Sequence, residues 1–201
     1  MAAWRAVRIL VHILAARAAS VADLSNHTLV EPRTIFDDEL LGTFAPGQGP
    51  VGSAVFSPRG DQILTASRDG ARLWDKRTGA LLKSFPRTFA EQMHGARSAV
   101  FSPRGDEILT ASRDGARLWN KRAGKLQRIL AGGPGWPAVK SAVFSPRGDQ
   151  ILTVSAGMTA ELWDKATGQL LRVFPGHAGE VESAVFSPRG DQILTASRDG
   201  A

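Results

Sequence analysis

Ser53-Ala54-Val55-Phe56-Ser57-Pro58-Arg59-Gly60-Asp61 is written four times in this chain, beginning at Ser53, Ser98, Ser141 and Ser183. The steps between starts are 45, 43 and 42 residues. Ser53–Ala71 and Ser183–Ala201 are identical, and Ser98–Ala116 differs from them only at Glu107. A near-constant period of this length marks a repeat architecture, in which each copy solves one local folding problem in the same way. The third copy departs after Thr153 and reads on to Ala160-Glu161-Leu162-Trp163 with one extra residue in between.

Each copy reads as four short strands. The first is Ser53–Ser57, closed by Pro58-Arg59-Gly60. The second is Gln62–Ser67, closed by Arg68-Asp69-Gly70. The third is Ala71–Asp75, closed by Lys76-Arg77-Thr78-Gly79, and the fourth is Ala80–Phe85. Turn residues recur at the spacing of an all-β meander. Apolar residues stand side by side in the first two strands (Ala54-Val55-Phe56, Ile63-Leu64) instead of alternating. Both faces of such a sheet are apolar, so it belongs between two others. Four-stranded sheets stacked face to face at a fixed repeat describe a propeller.

Composition narrows the chemistry. The 201 residues include no Cys, which excludes disulfides, thiol nucleophiles and Cys-ligated metal centres. Four His (His12, His27, His94, His177) and no Tyr leave little acid–base capacity near neutral pH. Hydrophobic residues at 43% and charged residues at 22% are those of an ordinary globular protein, which argues against disorder. No stretch of eighteen apolar residues occurs, so no membrane span is expected. The net charge is +6, and the first fifty residues hold four Arg against five acids, so the positive charge lies in the repeats.

Several positions recur in register with a known family. Leu73-Trp74-Asp75, Leu118-Trp119-Asn120 and Leu162-Trp163-Asp164 close the third strands, and Gly176-His177 opens the fourth copy. With the Phe-Ser-Pro-x-Gly segments and the Ser-x-Asp-Gly turns, residues 34–201 resemble the WD40 repeat. Upstream, Ile35-Phe36-Asp37 stands where Leu-Trp-Asp would, and Leu40–Phe44 aligns with Leu81–Phe85 and Leu170–Phe174. The expected fold is therefore all-β: WD40-type β-propeller blades, three of them complete and two halved. The resemblance implies about seven blades in a full ring, so an incomplete propeller, an open arc, is expected, with Gln192–Ser197 as an unpaired edge that invites self-association. The domain reading is a non-repeat segment over 1–30 and a repeat region over 31–201.

The resemblance also implies a buried network of His, Ser or Thr, Asp and Trp. Carried over by position, the first copy supplies Ser67, Asp69 and Trp74. The second supplies Ser112, Asp114 and Trp119, the third Ser155 and Trp163, and the fourth His177, Ser197 and Asp199. No copy holds the whole set, and each missing partner costs about 1–3 kcal/mol if a buried polar group is left unpaired. The second-to-third turn is one residue shorter than the family's at Asp69-Gly70, and a bulge or tightened turn is expected to absorb the difference.

Ser, His and Asp in the fourth copy are better explained by that network than by a hydrolase triad, since no Gly-x-Ser-x-Gly elbow is present. No phosphate loop, EF-hand or His-Glu-x-x-His pattern occurs, so neither metal nor cofactor is expected. Arg-Gly-Asp appears at every first turn, where turn preference accounts for it. As an array, Arg59, Arg104, Arg147 and Arg189 share a face with Lys76, Arg77, Lys121, Arg122 and Lys165, partly offset by Asp61, Glu107, Asp149 and Asp191; a plain solvated rim is the first reading of it, and an acidic partner or a phosphate backbone the functional one. The long connections carry Phe89, Met93, His94 and Trp136, candidate partner anchors; Trp136 packed back over a blade is the equal alternative. Met1–Ala22 has three Arg and no acid. A short helix is expected there, with signal-like and transit-like readings left open.

The function expected is a non-catalytic protein-interaction scaffold in the cytoplasm, with a protein partner of unspecified identity. The alternatives are a truncated repeat tract without an independent role and a basic-face binder of nucleic acid or anionic surfaces.

Overall fold

The computed structural model describes residues 11–15, 39–44, 51–86, 95–131 and 137–200, with side chains over the last three ranges. The chain divides into two compact units, Leu10–Ala45 and the remainder. In the smaller unit β1 (Val11–Ala15) pairs antiparallel with β2 (Glu39–Phe44), with an irregularity between Ile13 and Leu14. The helix expected in 1–30 is corrected over these five residues. Val11 and Ile13 are β-branched residues suited to a pleated strand, and pairing overrides a helical pattern of charges. The other residues of 1–30 lie outside the described ones, as does Ile35–Asp37.

The larger unit contains three four-stranded meanders and one pair. The first sheet is β3 (Val51–Phe56), β4 (Gln62–Ser67), β5 (Gly70–Asp75) and β6 (Leu81–Pro86), in that spatial order. The second is β7 (Ala96–Phe101), β8 (Glu107–Ser112), β9 (Gly115–Asn120) and β10 (Lys125–Leu130). The third is β11 (Val139–Phe144), β12 (Gln150–Ser155), β13 (Ala160–Asp164) and β14 (Leu170–Phe174). β15 (Val181–Phe186) pairs with β16 (Ile193–Ser197), whose other edge has no strand partner among the described residues.

Successive sheets stack through their first and second strands. Leu64, Ala66, Leu73 and Phe85 of the first sheet meet Ala99, Ile108 and Trp119 of the second. Leu109, Ala111, Leu118 and Leu130 of the second meet Val139, Ala142, Ile151 and Trp163 of the third. Leu152, Val154 and Ala160 of the third meet Val181 and Ala184 of the last pair. One face of each sheet thus offers Leu and Ala, and the facing one offers Ala, Ile and Trp. The adjacent apolar residues of the second strand serve both faces, which is why Ile63 and Leu64 are both buried.

Polar clamps hold the spacing. Lys83 Nζ donates to Arg122 O at 2.6 Å, and Arg128 Nη1 donates to Thr167 O at 2.7 Å in the next turn along. Lys121 Nζ reaches Gln62 Oε1 at 3.0 Å, and Lys165 Nζ pairs with Glu107 Oε2 at 2.6 Å. The first turns also touch. Gly105, Gly148 and Gly190 have φ of 72°, 74° and 77°, and a Cβ there would lie 3.2–3.3 Å from Cδ of Pro58, Pro103 and Pro146. Glycine is needed at this position both for the left-handed backbone and for the neighbouring proline.

Of the two expectations for the short second-to-third turn, the tightened turn is the one found. Ser67 pairs with Gly70 across a two-residue turn, and β4 and β5 run in register from Gln62↔Asp75 to that point with no bulge. In the third copy Val154 pairs with Ala160, so the loop itself takes up the extra residue. Irregularities fall in the first–second and third–fourth pairs instead, between Val51 and Ser53 and between Leu73 and Trp74 in the first sheet.

Trp74, Trp119 and Trp163 are 7%, 4% and 6% exposed, and the Trp119 ring meets Phe85 edge-on at 5.8 Å. Trp119→Ala removes a side chain shared by two sheets, and a loss of about 3–5 kcal/mol is expected in denaturant unfolding. A variant that unfolds like the parent contradicts this packing.

Candidate functional site: the networks and the turn face

Within each complete sheet the indole N–H donates to a threonine of the adjacent strand. The distances are 2.9 Å for Trp74 to Thr65 Oγ1, 3.0 Å for Trp119 to Thr110 and 2.8 Å for Trp163 to Thr153. Trp74 stands opposite Ile63 in the ladder, so Thr65, two residues on, is its diagonal neighbour on the same face. Sequence reasoning placed the hydroxyl at Ser67, Ser112, Ser155 and Ser197. The structure gives Ser67 to the hairpin, where its Oγ donates to Gly70 O at 3.3 Å and accepts from Asp69 N at 3.4 Å. Ser197 Oγ accepts from Asp199 N in the same way, and Ser155 is buried at the end of β12.

The four copies complete this network with different side chains. In the fourth, His177 Nε2 lies 2.7 Å from Thr195 Oγ1 and His177 Nδ1 lies 3.2 Å from Asp199 Oδ2. Asp199 is further held by the backbone N–H groups of Ala178 and Gly179. In the second copy a third-strand arginine works instead: Arg117 donates to Ser112 Oγ at 2.9 Å and to Asp114 Oδ2 at 2.7 Å. Burial alone would raise the Asp114 pKa, but the bonds from Ser112 and Arg117 outweigh it and hold the carboxyl below its ordinary value. In the first copy Arg72 makes a longer, 3.5 Å pair with Asp69. In the third copy that strand position is Glu161, which accepts from Thr153 Oγ1 at 3.1 Å. Burial pushes the Glu161 carboxyl up against the opposing pull of Thr153.

The line Thr195–His177–Asp199 has the connectivity of a proton relay. Its threonine, however, occupies the position that accepts the Trp indole in the other three copies, so the arrangement is structural. No cluster of three metal-ligating side chains occurs among the described residues. No described helix is long and apolar enough to cross a membrane.

The first turns form one repeated unit. Ser57 Oγ donates to Asp61 Oδ1 at 2.7 Å and accepts Gln62 N–H at 3.0 Å. Ser102–Asp106, Ser145–Asp149 and Ser187–Asp191 repeat it at 2.8, 2.7 and 2.7 Å. The Ser57 and Ser102 bonds lower the pKa values of Asp61 and Asp106. The aspartates are hydrogen-bonded within their turns, and they are exposed there alongside Arg59, Arg104, Arg147 and Arg189. In the third-to-fourth turns, Thr78 donates to Asp75 and Thr167 to Asp164 through both backbone and hydroxyl, lowering both carboxyls. Lys121 and Lys165 are committed to inter-sheet bonds, whereas Lys76 lies 5.8 Å from the centre of the Phe56 ring.

Beneath the tips the four Val-Phe-Ser-Pro segments line a groove of about 500 Å³. Sequence reasoning found the arginine array but not this groove, although the repeated Val-Phe before each Ser-Pro is its signal. Phe89, Met93, His94 and Trp136, expected as anchors, lie outside the described residues.

The family model described as "WD domain, G-beta repeat" matches residues 38–75, 124–164 and 168–201, more than half of the chain. A search of the curated proteins finds no match.

Glu161 supplies a pH test. Its folded pKa is raised, so the folded state holds the proton more tightly than the unfolded chain. The ionised carboxylate is a destabilising contribution at neutral pH, which shrinks as pH falls through the raised value and vanishes below the ordinary 4.5. Glu161→Gln keeps an acceptor for Thr153 without the charge. A higher melting temperature than the parent at neutral pH is expected, with the two converging below pH 4.5. A pH-independent difference refutes the assignment.

Proposed function

The chain belongs to the WD40-repeat family, and from that premise we propose that it is a non-catalytic protein-interaction scaffold whose working surface is the face carrying the Pro-Arg-Gly tips. WD40 repeats typically mediate protein–protein interaction, and proteins built from them are generally non-catalytic scaffolds. The observation that carries the choice of surface is the packed ladder of first turns. Pro58 against Gly105, Pro103 against Gly148 and Pro146 against Gly190 tie neighbouring tips together. The turns that carry the arginines are therefore held at a set spacing, and little backbone conformational entropy is lost when a partner engages them.

The chemistry of the described residues supports the same reading. The acid–base side chains with partners are spent on holding turns, and the third-strand arginines and glutamate are spent inside the sheets. What remains available is shape, charge and apolar surface, the means by which a binding module works.

Replacing Arg59, Arg104, Arg147 and Arg189 together by Glu tests the surface. The tips are solvated, so thermal unfolding is expected to stay close to that of the parent, while capture of an acidic partner falls. Failure of this variant to fold would place the arginines in the structure and overturn the surface assignment.

A further inference from the structure

We propose that the free edge of β16, together with the half-open slot between Leu162, Phe174 and Thr195, binds a tryptophan-bearing extended segment of a partner protein as an added antiparallel strand. This is an interaction surface other than the arginine tips, and its failure leaves the tip-face reading untouched.

The same slot is filled twice elsewhere in the molecule. Trp119 of the second sheet packs with Leu73 and Phe85 of the first, and Trp163 of the third packs with Leu118 and Leu130 of the second. Each indole also donates to a threonine on the neighbouring strand of its own sheet, Thr110 or Thr153. On the third sheet the corresponding wall is Leu162 and Phe174, since Phe174 pairs with Ala160 as Phe85 does with Ala71 and Leu130 with Ala116. The corresponding threonine on β16 is Thr195. It bonds to His177, and no indole bonds to it among the described residues. Leu73, Leu118, Phe85, Leu130, Thr110 and Thr153 are all buried, whereas Leu162, Phe174 and Thr195 are each only half-buried. The slot has its apolar wall and its acceptor but not its tryptophan.

The strand edge supplies the rest of the site. β16 has β15 on one side and no strand partner on the other among the described residues. Gln192–Gly200 repeats Gln62–Gly70 residue for residue, so the first sheet shows what fits along it. There β4 takes β5 antiparallel, with Trp74 opposite Ile63 and the indole on Thr65. A segment added to β16 in that register sets its tryptophan opposite Ile193, with the indole N–H on Thr195. The ring then lies against Phe174 and Leu162, as Trp119 lies edge-on to Phe85. Main-chain bonds along a sheet edge give such an added strand its affinity, and a side-chain pocket gives it specificity. Tryptophan in a desolvated pocket is also a residue type that dominates binding energy. A second copy pairing β16 with β16 fits less well, because Ile193–Ser197 carries no tryptophan and leaves the slot unfilled.

The test is fluorescence anisotropy of labelled peptides with the full chain. The probe is a peptide of residues 70–86, whose strands follow the identical stretch in the first copy. The controls are the same peptide with Trp74→Ala and a scrambled peptide of the same composition. The probe is expected to bind saturably, the Trp74→Ala peptide about tenfold or more weakly, and the scrambled peptide not at all. In the chain, Thr195→Val removes the indole's acceptor. It is expected to weaken the probe several-fold and to shrink the loss caused by Trp74→Ala, because the two groups act on one bond. No binding of the probe, or equal binding of the probe and either control, overturns the proposal, and neither result depends on a variant of the chain folding. A Trp74→Ala loss that stays the same in Thr195→Val also overturns it, by placing the tryptophan elsewhere. So does a chain that light scattering shows as a dimer, that excludes the probe and that Leu194→Lys dissociates, since the occupant of the edge is then a second copy.

Discussion

A tryptophan indole that must be buried and must still find an acceptor governs each sheet. An unpaired buried N–H costs about 1–3 kcal/mol, so Trp74, Trp119 and Trp163 are bound to Thr65, Thr110 and Thr153. The bond crosses from third strand to second and fixes which face the indole takes. For Trp119 and Trp163 that face is the one turned toward the preceding sheet, where Trp119 meets Phe85 edge-on. One side chain therefore couples the polar interior of its own sheet to the apolar contact with its neighbour. The bulge between Leu73 and Trp74, repeated between Leu162 and Trp163, lies in the pair on the other side of the strand, where it leaves the Thr–Trp register untouched.

Stacking sheets on an apolar contact alone would leave their relative slide poorly defined, since dispersion is non-directional. The lysine and arginine clamps supply direction. Lys83 and Arg128 reach carbonyls in the next sheet's turn, and Lys121 and Lys165 reach back to Gln62 and Glu107. Such bonds are individually weak, but each pair of complete sheets has side-chain clamps running in opposite senses, which oppose sliding both ways. The Pro–Gly contacts then carry the spacing out to the tips, so the periodicity of the core becomes a periodicity of the turn face.

Much of this was legible in the sequence because it depends on local pattern. Adjacent apolar residues announced strands buried on both faces, recurring Gly announced the turns, and the Trp positions announced the core. What escaped was pairing across distance. Ser67 and Thr65 are both plausible hydroxyls by spacing, and only the diagonal geometry of β4 and β5 selects the threonine. The missing residue at Asp69-Gly70 suggested a bulge or a tightened turn, and only the pairing of β4 with β5 selects the second, a two-residue hairpin. Val11–Ala15 looked helical beside its arginines until Glu39–Phe44 supplied a strand partner.

Sequence identity also does not confer identity of environment. Leu64 and Leu194 occupy the same place in identical stretches, yet Leu64 is 0% exposed and Leu194 70%. The neighbouring sheet decides burial, and the repeat cannot encode its own neighbour. The converse holds for differences. Position 62 is Gln in the first copy and Glu107 in the second, and both accept a lysine from the following turn, so the substitution changes a neutral clamp into a charged one without moving it. The third-strand position is Arg72 and Arg117 in the first two copies and Glu161 in the third, and each bonds what its own copy provides. Variation at inward positions is thus absorbed as alternative ways of satisfying the same buried groups. The first turns differ from this: Pro-Arg-Gly-Asp is the same in all four copies, and each makes the same Ser–Asp bond, so the turns are built in one way while the interiors are built in several.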